Sequence, residues 1–487
     1  MRAERLRQRL AGAGLLVEWP DMTSAPVLES VATDNRKVTP GALFAAYRGS
    51  VSDGHAFLAA AVRAGAVAAM VERRVSDVKV PQIVVGDGRL AAGAAAALAF
   101  GDPASALQLL AVTGTNGKTT TVALLRHLFG DGTPAGSIGT LGAIGGDAQV
   151  LPGTANLTTP GPVELHAALA ALRDGGVRTV AMEASSHSLA QDRVAGLLFR
   201  AAVFTNLTRD HLDYHGDEAH YLAAKLKLQQ YLAPDGVAIT NAADPAWRAV
   251  APRPGNLTFG VGVAADVTAE RIEGDGGGMR FALTAAGGSF PVALPLLGSF
   301  NVENALGAAA AAIALGRDPA RVAALLSGAP QVPGRMERLA DKPCVVLRDF
   351  AHTPDALERA LATLRPLTQA RLIVVFGAGG DRDRGKRPVM GAIAARAADL
   401  AIITSDNPRT EDPERILDEI EAGMGDVPHL RIEGRRAAIV RALSIAAPGD
   451  TVLLAGKGHE DYQVLGTEKL PFDEKAIVQS VLAERHA

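Results

Sequence analysis

The run Gln108-Leu109-Leu110-Ala111-Val112-Thr113-Gly114-Thr115-Asn116-Gly117-Lys118-Thr119-Thr120 constrains the fold of this chain more than any other segment. Its apolar first half predicts a buried strand. A Gly/Thr/Asn turn follows, then Lys118-Thr119-Thr120 and a helical pattern over Thr121 to Phe129. Strand, tight turn and helix in that order form the layout of a phosphate-binding loop. Backbone N–H groups cup phosphate oxygens, and the positive end of the helix faces them. Gly114, Thr115, Asn116, Gly117, Lys118, Thr119 and Thr120 would then bind a nucleoside triphosphate. Lys118 would reach the β- and γ-phosphates and Thr119 would ligate Mg²⁺. The spacing departs from the general pattern at one place, because Val112 stands where a glycine is usual. G-T-N-G-K-T is a shortened variant. A plain strand-to-helix turn with a surface lysine is the bland alternative, and the coincidence of strand, turn, Lys-Thr and helix argues against it.

Size and composition narrow the class. A chain of 487 residues is too long for one ordinary core, and roughly two to four domains are expected. Hydrophobic residues make up 48% and charged residues 21%, with a formal net charge of −3. That balance supports large cores and suggests no nucleic-acid or membrane-surface partner. The single cysteine, Cys344, excludes an internal disulfide and suits a reducing compartment. No apolar core of signal-peptide length follows the N-terminal Met1-Arg2-Ala3-Glu4, and the Ala-rich run Leu306 to Leu315 is far short of a membrane span. A cytoplasmic monomer without membrane insertion, acting on small molecules, is expected.

Three regions separate by pattern. Residues 1–100 mix short apolar runs (Ala68 to Val71, Gln82 to Val85) with a helix expected over Ala56 to Ala64. Asp102-Pro103 punctuates the chain. Residues 101–331 repeat strand, Gly-rich turn and helix, with strands expected at Thr179 to Met182, Ala202 to Thr205 and Val237 to Thr240. This alternation predicts a parallel sheet with helices on both faces. Residues 332–487 do the same again through Cys344 to Leu347, Arg371 to Phe376, Leu400 to Thr404 and Thr451 to Leu454. The expected fold class is therefore α/β, with a central phosphate-loop sheet and a second doubly wound, Rossmann-like unit after it.

In such sheets ligands collect at the carboxyl ends of strands. One cluster there joins Met182-Glu183-Ala184-Ser185-Ser186-His187 with Asn206 to His215. Glu183 and His211 are candidate Mg²⁺ ligands, although His211 alone would favour Zn²⁺, and any one of these histidines has a loop or capping role as its simpler reading. A second is Asp349-Phe350-Ala351-His352-Thr353-Pro354-Asp355, where Asp349 either binds a ribose or belongs to a helix N-cap region. A third, Phe376 to Arg387, looks superficially like a dinucleotide fingerprint, but its Asp381-Arg382-Asp383-Arg384 argues against that. Arg382, and Arg409 in Asp406-Asn407-Pro408-Arg409, would suit carboxylates through paired N–H donors; otherwise these are solvated charged loops.

Taken together these strings resemble the Mur ligases, ATP-dependent amide-forming enzymes of peptidoglycan synthesis, over nearly the whole chain. The shortened loop Gly114 to Thr120 is similar to theirs, as are Met182 to His187, Asp210 to Gly216, Gly377 to Arg382, Asp406 to Arg409 and Gly456 to Glu460. The resemblance implies three domains: a small α/β UDP-binding domain (1–100), a central ATPase domain (101–331) and a domain for the incoming amino acid (332–487). It implies a uridine site near Thr33, Asn35, Ser50, Val51 and Ser52, and muramoyl-peptide contacts at Thr158, Thr159, Ser185, Gln191 and Arg193. Asn301, Arg335 and Asp349 match the family's positions around ATP. Lys225 matches a lysine that the family carries as a carbamate, although its own context reads as a surface helix lysine. A carbamate turns a cation into an oxygen ligand, so Thr119, Glu183, His211 and Lys225 would hold Mg²⁺, with Lys118 completing the catalytic set. Three positions depart from the usual family pattern: Asn35 replaces a serine, Phe350 a tyrosine, and Leu157 an asparagine.

Asp406-Asn407-Pro408-Arg409 resembles the signature of the branch that attaches diaminopimelate to a UDP-linked muramoyl dipeptide. Diaminopimelate ends in a carboxylate beside an amine, whereas lysine ends in an ammonium alone. Arg409 can hold the carboxylate bidentately and repel lysine's cation. The resemblance places Arg382, Gly456 and Glu460 at the same amino acid. ATP and Mg²⁺ are the implied cofactors, and closure of the domains is expected to keep water from an acyl phosphate. The rivals are a lysine-adding relative, a folylpolyglutamate synthase and, from another class, a nucleotide switch or kinase. Asp406 to Arg409 weighs against lysine, the muramoyl contacts against folate, and a separate amino-acid site against a switch.

Overall fold

The computed structural model describes residues 1–25, 27–49, 52–155 and 157–486. Ser50 and Val51 lie outside the described residues. The chain divides into two compact units. One comprises Met1–Glu270, Leu283–Phe290 and Glu303–Leu326; the other comprises Arg271–Ala282, Pro291–Val302 and the chain from Ser327 onward.

The first unit holds two sheets. The N-terminal sheet runs in the order Leu16–Glu18, Gln82–Val85, Ala66–Val71, Ala42–Ala46, Ser30–Ala32. It is parallel except at its first edge strand. Its strands are apolar on both faces because both faces are covered. Leu43 and Ala45 meet the helices Ala3–Gly12 and Gly88–Ala99, while Phe44 and Ala46 pack on Leu58 and Ala61 from the opposite side. The helix expected over Ala56 to Ala64 is split into a 3₁₀ turn, Gly54–Phe57, and a helix, Leu58–Arg63. Asp53 tightens the first turn by accepting from the His55 N–H at 3.0 Å and pairing with the ring Nδ1 at 2.6 Å.

In the central sheet the phosphate-loop strand Gln108–Thr113 lies between Thr179–Glu183 and Phe199–Phe204, all parallel. Ala135–Gly139 extends one side, and Leu232–Asn241 and Leu257–Val261 the other. The helix after the loop spans Lys118–Phe129, starting three residues before the expected Thr121 because the lysine already opens its first turn.

The second unit carries a sheet in the order Glu337–Ala340, Val345–Asp349, Thr451–Ala455, Leu372–Phe376, Leu400–Ile403, His429–Arg431, parallel but for its first edge. Alternate residues feed two cores. Leu347, Val374, Phe376 and Leu453 face the helices Pro354–Leu364, Lys386–Ala397 and Pro413–Glu421, while Val346, Ile373, Val375 and Leu454 face Arg435–Ile445 and Glu474–His486. This is the doubly wound arrangement that the repeating strands predicted. Among the described residues no helix is long and apolar enough to cross a membrane.

Candidate active site

The phosphate loop is fastened to the next strand's end before any ligand is considered. The Thr115 N–H donates to the Asn206 carbonyl at 2.7 Å, and the Asn116 N–H to the Asn206 Oδ1 at 2.9 Å. Thr205 Oγ1 donates to the Asn116 carbonyl at 2.7 Å. Gly117, at φ 83°, is left-handed, and a Cβ there would strike the Asn304 side chain; Gly114 is likewise pressed against Thr205. Glycine is required by these contacts as well as by the turn. Lys118 Nζ donates to the carbonyls of Gly114 and Thr115 at 2.9 and 2.7 Å, so its ammonium lies along the loop.

Lys225 contradicts its surface reading. It is 1% exposed and donates to the Gly114 carbonyl at 2.7 Å. Burial, reinforced by the charge of Lys118, pushes its amine well below the ordinary lysine range. That shift favours the neutral amine, which is the form that adds CO₂. Helical spacing gave no sign of this, because its burial comes from tertiary packing against the loop.

Glu183 ends its strand beside Val112 and is 1% exposed. Its carboxylate accepts from the Thr140 N–H at 2.8 Å and the Thr140 hydroxyl at 3.2 Å. Thr140 thus orients Glu183, a role with no local sequence signal. Around it gather the expected muramoyl contacts. The Thr159 hydroxyl donates to the Glu183 carbonyl at 2.8 Å and accepts from the Ser185 N–H at 3.1 Å. Thr158 meets Thr140 at 3.2 Å. Arg193 donates to the Thr159 carbonyl at 2.9 Å and, through Nε and Nη2, to Gln191 Oε1 at 3.0 and 2.8 Å. Thr158, Thr159, Ser185, Gln191 and Arg193 are therefore joined, through Thr140 and Glu183, in one hydrogen-bonded network.

His211 sits at φ 53° with its ring centroid 4.7 Å from that of His187, and His215 lies 5.4 Å from His187. Burial first, and then mutual repulsion, lowers the pKa of His187 to about 4 and depresses His215. Burial also lowers His211. Neutral imidazoles at pH 7 retain lone pairs for a cation. Among the described residues no group of three His, Cys, Asp or Glu is placed to hold a metal. A site of one carboxylate, a threonine hydroxyl and substrate phosphates is what Mg²⁺ commonly uses, and carbamylation of Lys225 would add a second carboxylate. By donor chemistry, Thr119 and Glu183 offer the oxygens such an ion takes, His211 offers a neutral ring nitrogen, and Lys225 would offer oxygen only as a carbamate. In the N-terminal sheet region, Asn35 opens the 3₁₀ turn Asn35–Lys37, Thr33 hydrogen-bonds Tyr47, and exposed Ser52 turns the chain by accepting from the Gly49 N–H at 2.9 Å.

The other expected residues belong to the second unit. Asn301 Nδ2 donates to the Leu297 carbonyl at 2.8 Å. Arg335 lies 4.8 Å over the Phe350 ring, and Asp349 accepts from the Met336 N–H at 2.7 Å. Burial raises the Asp349 carboxyl, opposed by Arg335. The helix N-cap nearby is Thr353, which removes the capping alternative for Asp349.

The Gly-rich run Gly377 to Gly380 has a purpose other than nucleotide binding. A Cβ on Gly377 would collide with the Thr404 carbonyl, and one on Gly380 with the Pro408 carbonyl. The two loops therefore meet backbone to backbone, with the Gly380 N–H donating to the Asn407 carbonyl at 2.9 Å. Arg409 Nη1 donates to the Gly380 carbonyl at 2.7 Å. Its backbone, at φ 54°, is clamped by the hairpin Tyr462–Leu465 and Glu468–Pro471: the Arg409 N–H donates to the Val464 carbonyl at 3.1 Å, and the Gly466 N–H donates to that of Arg409 at 2.8 Å. Asn407 Nδ2 donates to Glu460 Oε2 at 2.9 Å, and Gly456 approaches buried Asp406. Arg382 is exposed on the facing loop and donates to the Asp381 carbonyl at 3.0 Å. Sequence reasoning missed Lys457, whose charge between two glycines reads as a solvated loop but which is fully buried here.

Three family models match: the Mur ligase middle domain over residues 112–312, the Mur ligase glutamate ligase domain over 334–458, and the Mur ligase family catalytic domain over 27–113. A relative from Thermosynechococcus vestitus, UDP-N-acetylmuramoyl-L-alanyl-D-glutamate–2,6-diaminopimelate ligase, is 45% identical over 99% of this chain and 98% of its own. A solved structure carrying that same enzyme name is 34% identical, covers 97% of this chain and 100% of its own, and superposes with a TM-score of 0.67. Mycobacterium tuberculosis folylpolyglutamate synthase complexed with ADP is 22% identical over 75% of this chain and 91% of its own, at a TM-score of 0.63, and shares the fold.

Proposed function

We propose, for a chain that belongs to the Mur ligase family, that it joins meso-diaminopimelate to UDP-N-acetylmuramoyl-L-alanyl-D-glutamate at the expense of ATP. The observation that carries the substrate reading is that one loop cluster bears both an arginine and a glutamate fixed by their own separate partners. Arg409 is clamped against Gly380, and Glu460 is held by Asn407, neighbours of one another in sequence and structure. A cation and an anion carried by the same cluster suit the distal carboxylate and ammonium of diaminopimelate; lysine offers only the ammonium.

In the first step an oxygen of the D-glutamyl γ-carboxylate attacks the γ-phosphorus of ATP, and the bond to the departing ADP oxygen breaks. In the second, the diaminopimelate amine attacks the acyl carbon, loses a proton, and phosphate leaves as the amide forms. Arg193, Thr158, Thr159, Ser185 and Gln191 orient the muramoyl peptide near Glu183. Lys118 places a positive charge where the phosphoryl oxygens gather it. Mg²⁺ held by Thr119, Glu183, His211 and the Lys225 carbamate would supply further neutralisation of the phosphates. The domain limits 1–100, 101–331 and 332–487 divide the work into uridine, ATP and amino-acid sites. The substrates are small molecules, and buried Cys344 is in keeping with the cytoplasm, where we place the enzyme as a monomer.

Phosphate release tests the reading. It is expected to need ATP, the muramoyl dipeptide and meso-diaminopimelate together, with L-lysine a poor acceptor. Equal turnover with lysine would refute the substrate assignment, and release without an acceptor would favour a switch or kinase. The Lys225 carbamate has its own check. Activity should fall after exhaustive CO₂ removal and return with bicarbonate, whereas Lys225→Gln should be weak and indifferent to bicarbonate. A wild type equally active in CO₂-free buffer would exclude the modification.

A further inference from the structure

We propose that Lys457 is a positioning residue for the acceptor amino acid: its buried ammonium fixes the Asn407 amide, which in turn aims the Glu460 carboxylate at the substrate's distal ammonium. This rests on the reading that the second unit takes diaminopimelate.

Lys457 follows the strand Thr451–Ala455, and none of its side chain reaches solvent. Its Nζ donates to Asn407 Oδ1 at 2.9 Å and the Tyr462 carbonyl at 2.8 Å, and lies 3.3 Å from Asp406 Oδ1 and 3.5 Å from Glu460 Oε2. An ammonium has donors only. The oxygen of the Asn407 amide must therefore face it, and the Val464 N–H, donating to the same oxygen at 2.9 Å, imposes the same choice. With its oxygen fixed by two donors, Asn407 can turn only its Nδ2 toward Glu460 Oε2, which it meets at 2.9 Å. The other oxygen, Oε1, has a long 3.5 Å approach from the Tyr462 hydroxyl. Glu460 is also the member of this chain that reaches outward, its side chain 17% exposed against 0% for Lys457.

Lys457 also settles the charge of the site. Asp406 is buried behind Asn407, and burial favours its neutral form; the charges of Lys457 and Arg435 outweigh that and keep it ionised. Arg435 is itself paired with Glu474 at 2.7 Å. Asp406 and Lys457 thus cancel each other, leaving Arg409 and Glu460 to face the ligand. A purely structural ion pair would hold the unit together without favouring one substrate.

The test is steady-state phosphate release by the full-length enzyme with each substrate varied in turn. K457M is expected to raise the KM for meso-diaminopimelate about 10- to 100-fold, the scale of a lost hydrogen bond to a charged group. The kcat and the KM values for ATP and the muramoyl dipeptide should stay within about threefold on the same scale. E460Q should raise the same KM, and K457M/E460Q should be no worse than E460Q alone, because Lys457 acts through Glu460. Losses that multiply in the double variant, or KM values that rise together for all three substrates, would overturn the proposal. Should K457M fail to fold, N407D carries the test. It keeps an oxygen for Lys457 and Val464 but replaces the donor to Glu460, so the same selective rise is expected, and an unchanged KM refutes the relay. A wild type that never uses diaminopimelate removes the substrate reading and the relay with it; a wild type that saturates normally beside an unaffected K457M removes the relay alone.

Discussion

Lys118→Met is expected to lower kcat for phosphate release by about 10²- to 10³-fold, the range seen when one preorganised donor to a developing charge is removed. The side chain keeps its length and loses only the ammonium. Its present contacts, to the carbonyls of Gly114 and Thr115, show that the head group is held along the loop and not spread into solvent. Stability should change little, because the Gly114 carbonyl keeps Lys225 as a donor and the loop keeps its backbone links to Asn206. The comparison to make is kcat against the thermal midpoint. A kcat within threefold of wild type would take Lys118 out of phosphoryl transfer, and a collapse of the midpoint would show that the loop needs it structurally.

Arg409→Ala is expected to lower kcat/KM for meso-diaminopimelate by roughly 2–4 kcal/mol, or about 30- to 1,000-fold, as for truncating one partner of a desolvated charge pair. Lysine should lose nothing and gain slightly, because the repelling cation is gone. The readout is therefore the ratio of the two substrates, which should collapse toward unity. The backbone should stay in place. Alanine and arginine both carry a Cβ, so the left-handed φ costs them alike, and the two hairpin hydrogen bonds use only main-chain atoms. An unchanged substrate ratio would sink the assignment of Arg409 to the distal carboxylate.

What the sequence disclosed follows from how local each device is. The phosphate loop is written in contiguous residues, so strand, turn and helix were legible together, and only the helix start moved, from Thr121 to Lys118. The alternating strands of the last third announced a doubly wound unit for the same reason. Lys225 was illegible as a buried group. Its neighbours on the helix say nothing of the loop that covers it, and only resemblance marked it. Thr140 and Lys457 were missed because each acts on a partner 43 or 50 residues away. The run Gly377 to Gly380 was ambiguous by itself, since close approach to another backbone and the wrapping of a phosphate both call for glycine, and only the charged residues after it argued against a nucleotide site.

That close approach has an engineering consequence. The glycine loop, the segment from Asp406 to Arg409 and the hairpin from Tyr462 to Pro471 are interlocked through main-chain atoms, with Gln463 Nε2 also donating to the Asp406 carbonyl at 2.7 Å. They behave as a cassette of three pieces scattered over some ninety residues. Converting this scaffold to a different acceptor is then a problem of multi-segment grafting, in which the three pieces must be inherited as one set. Libraries that vary the arginine-bearing segment alone would sample sequences whose supporting backbone is shaped for the original acceptor.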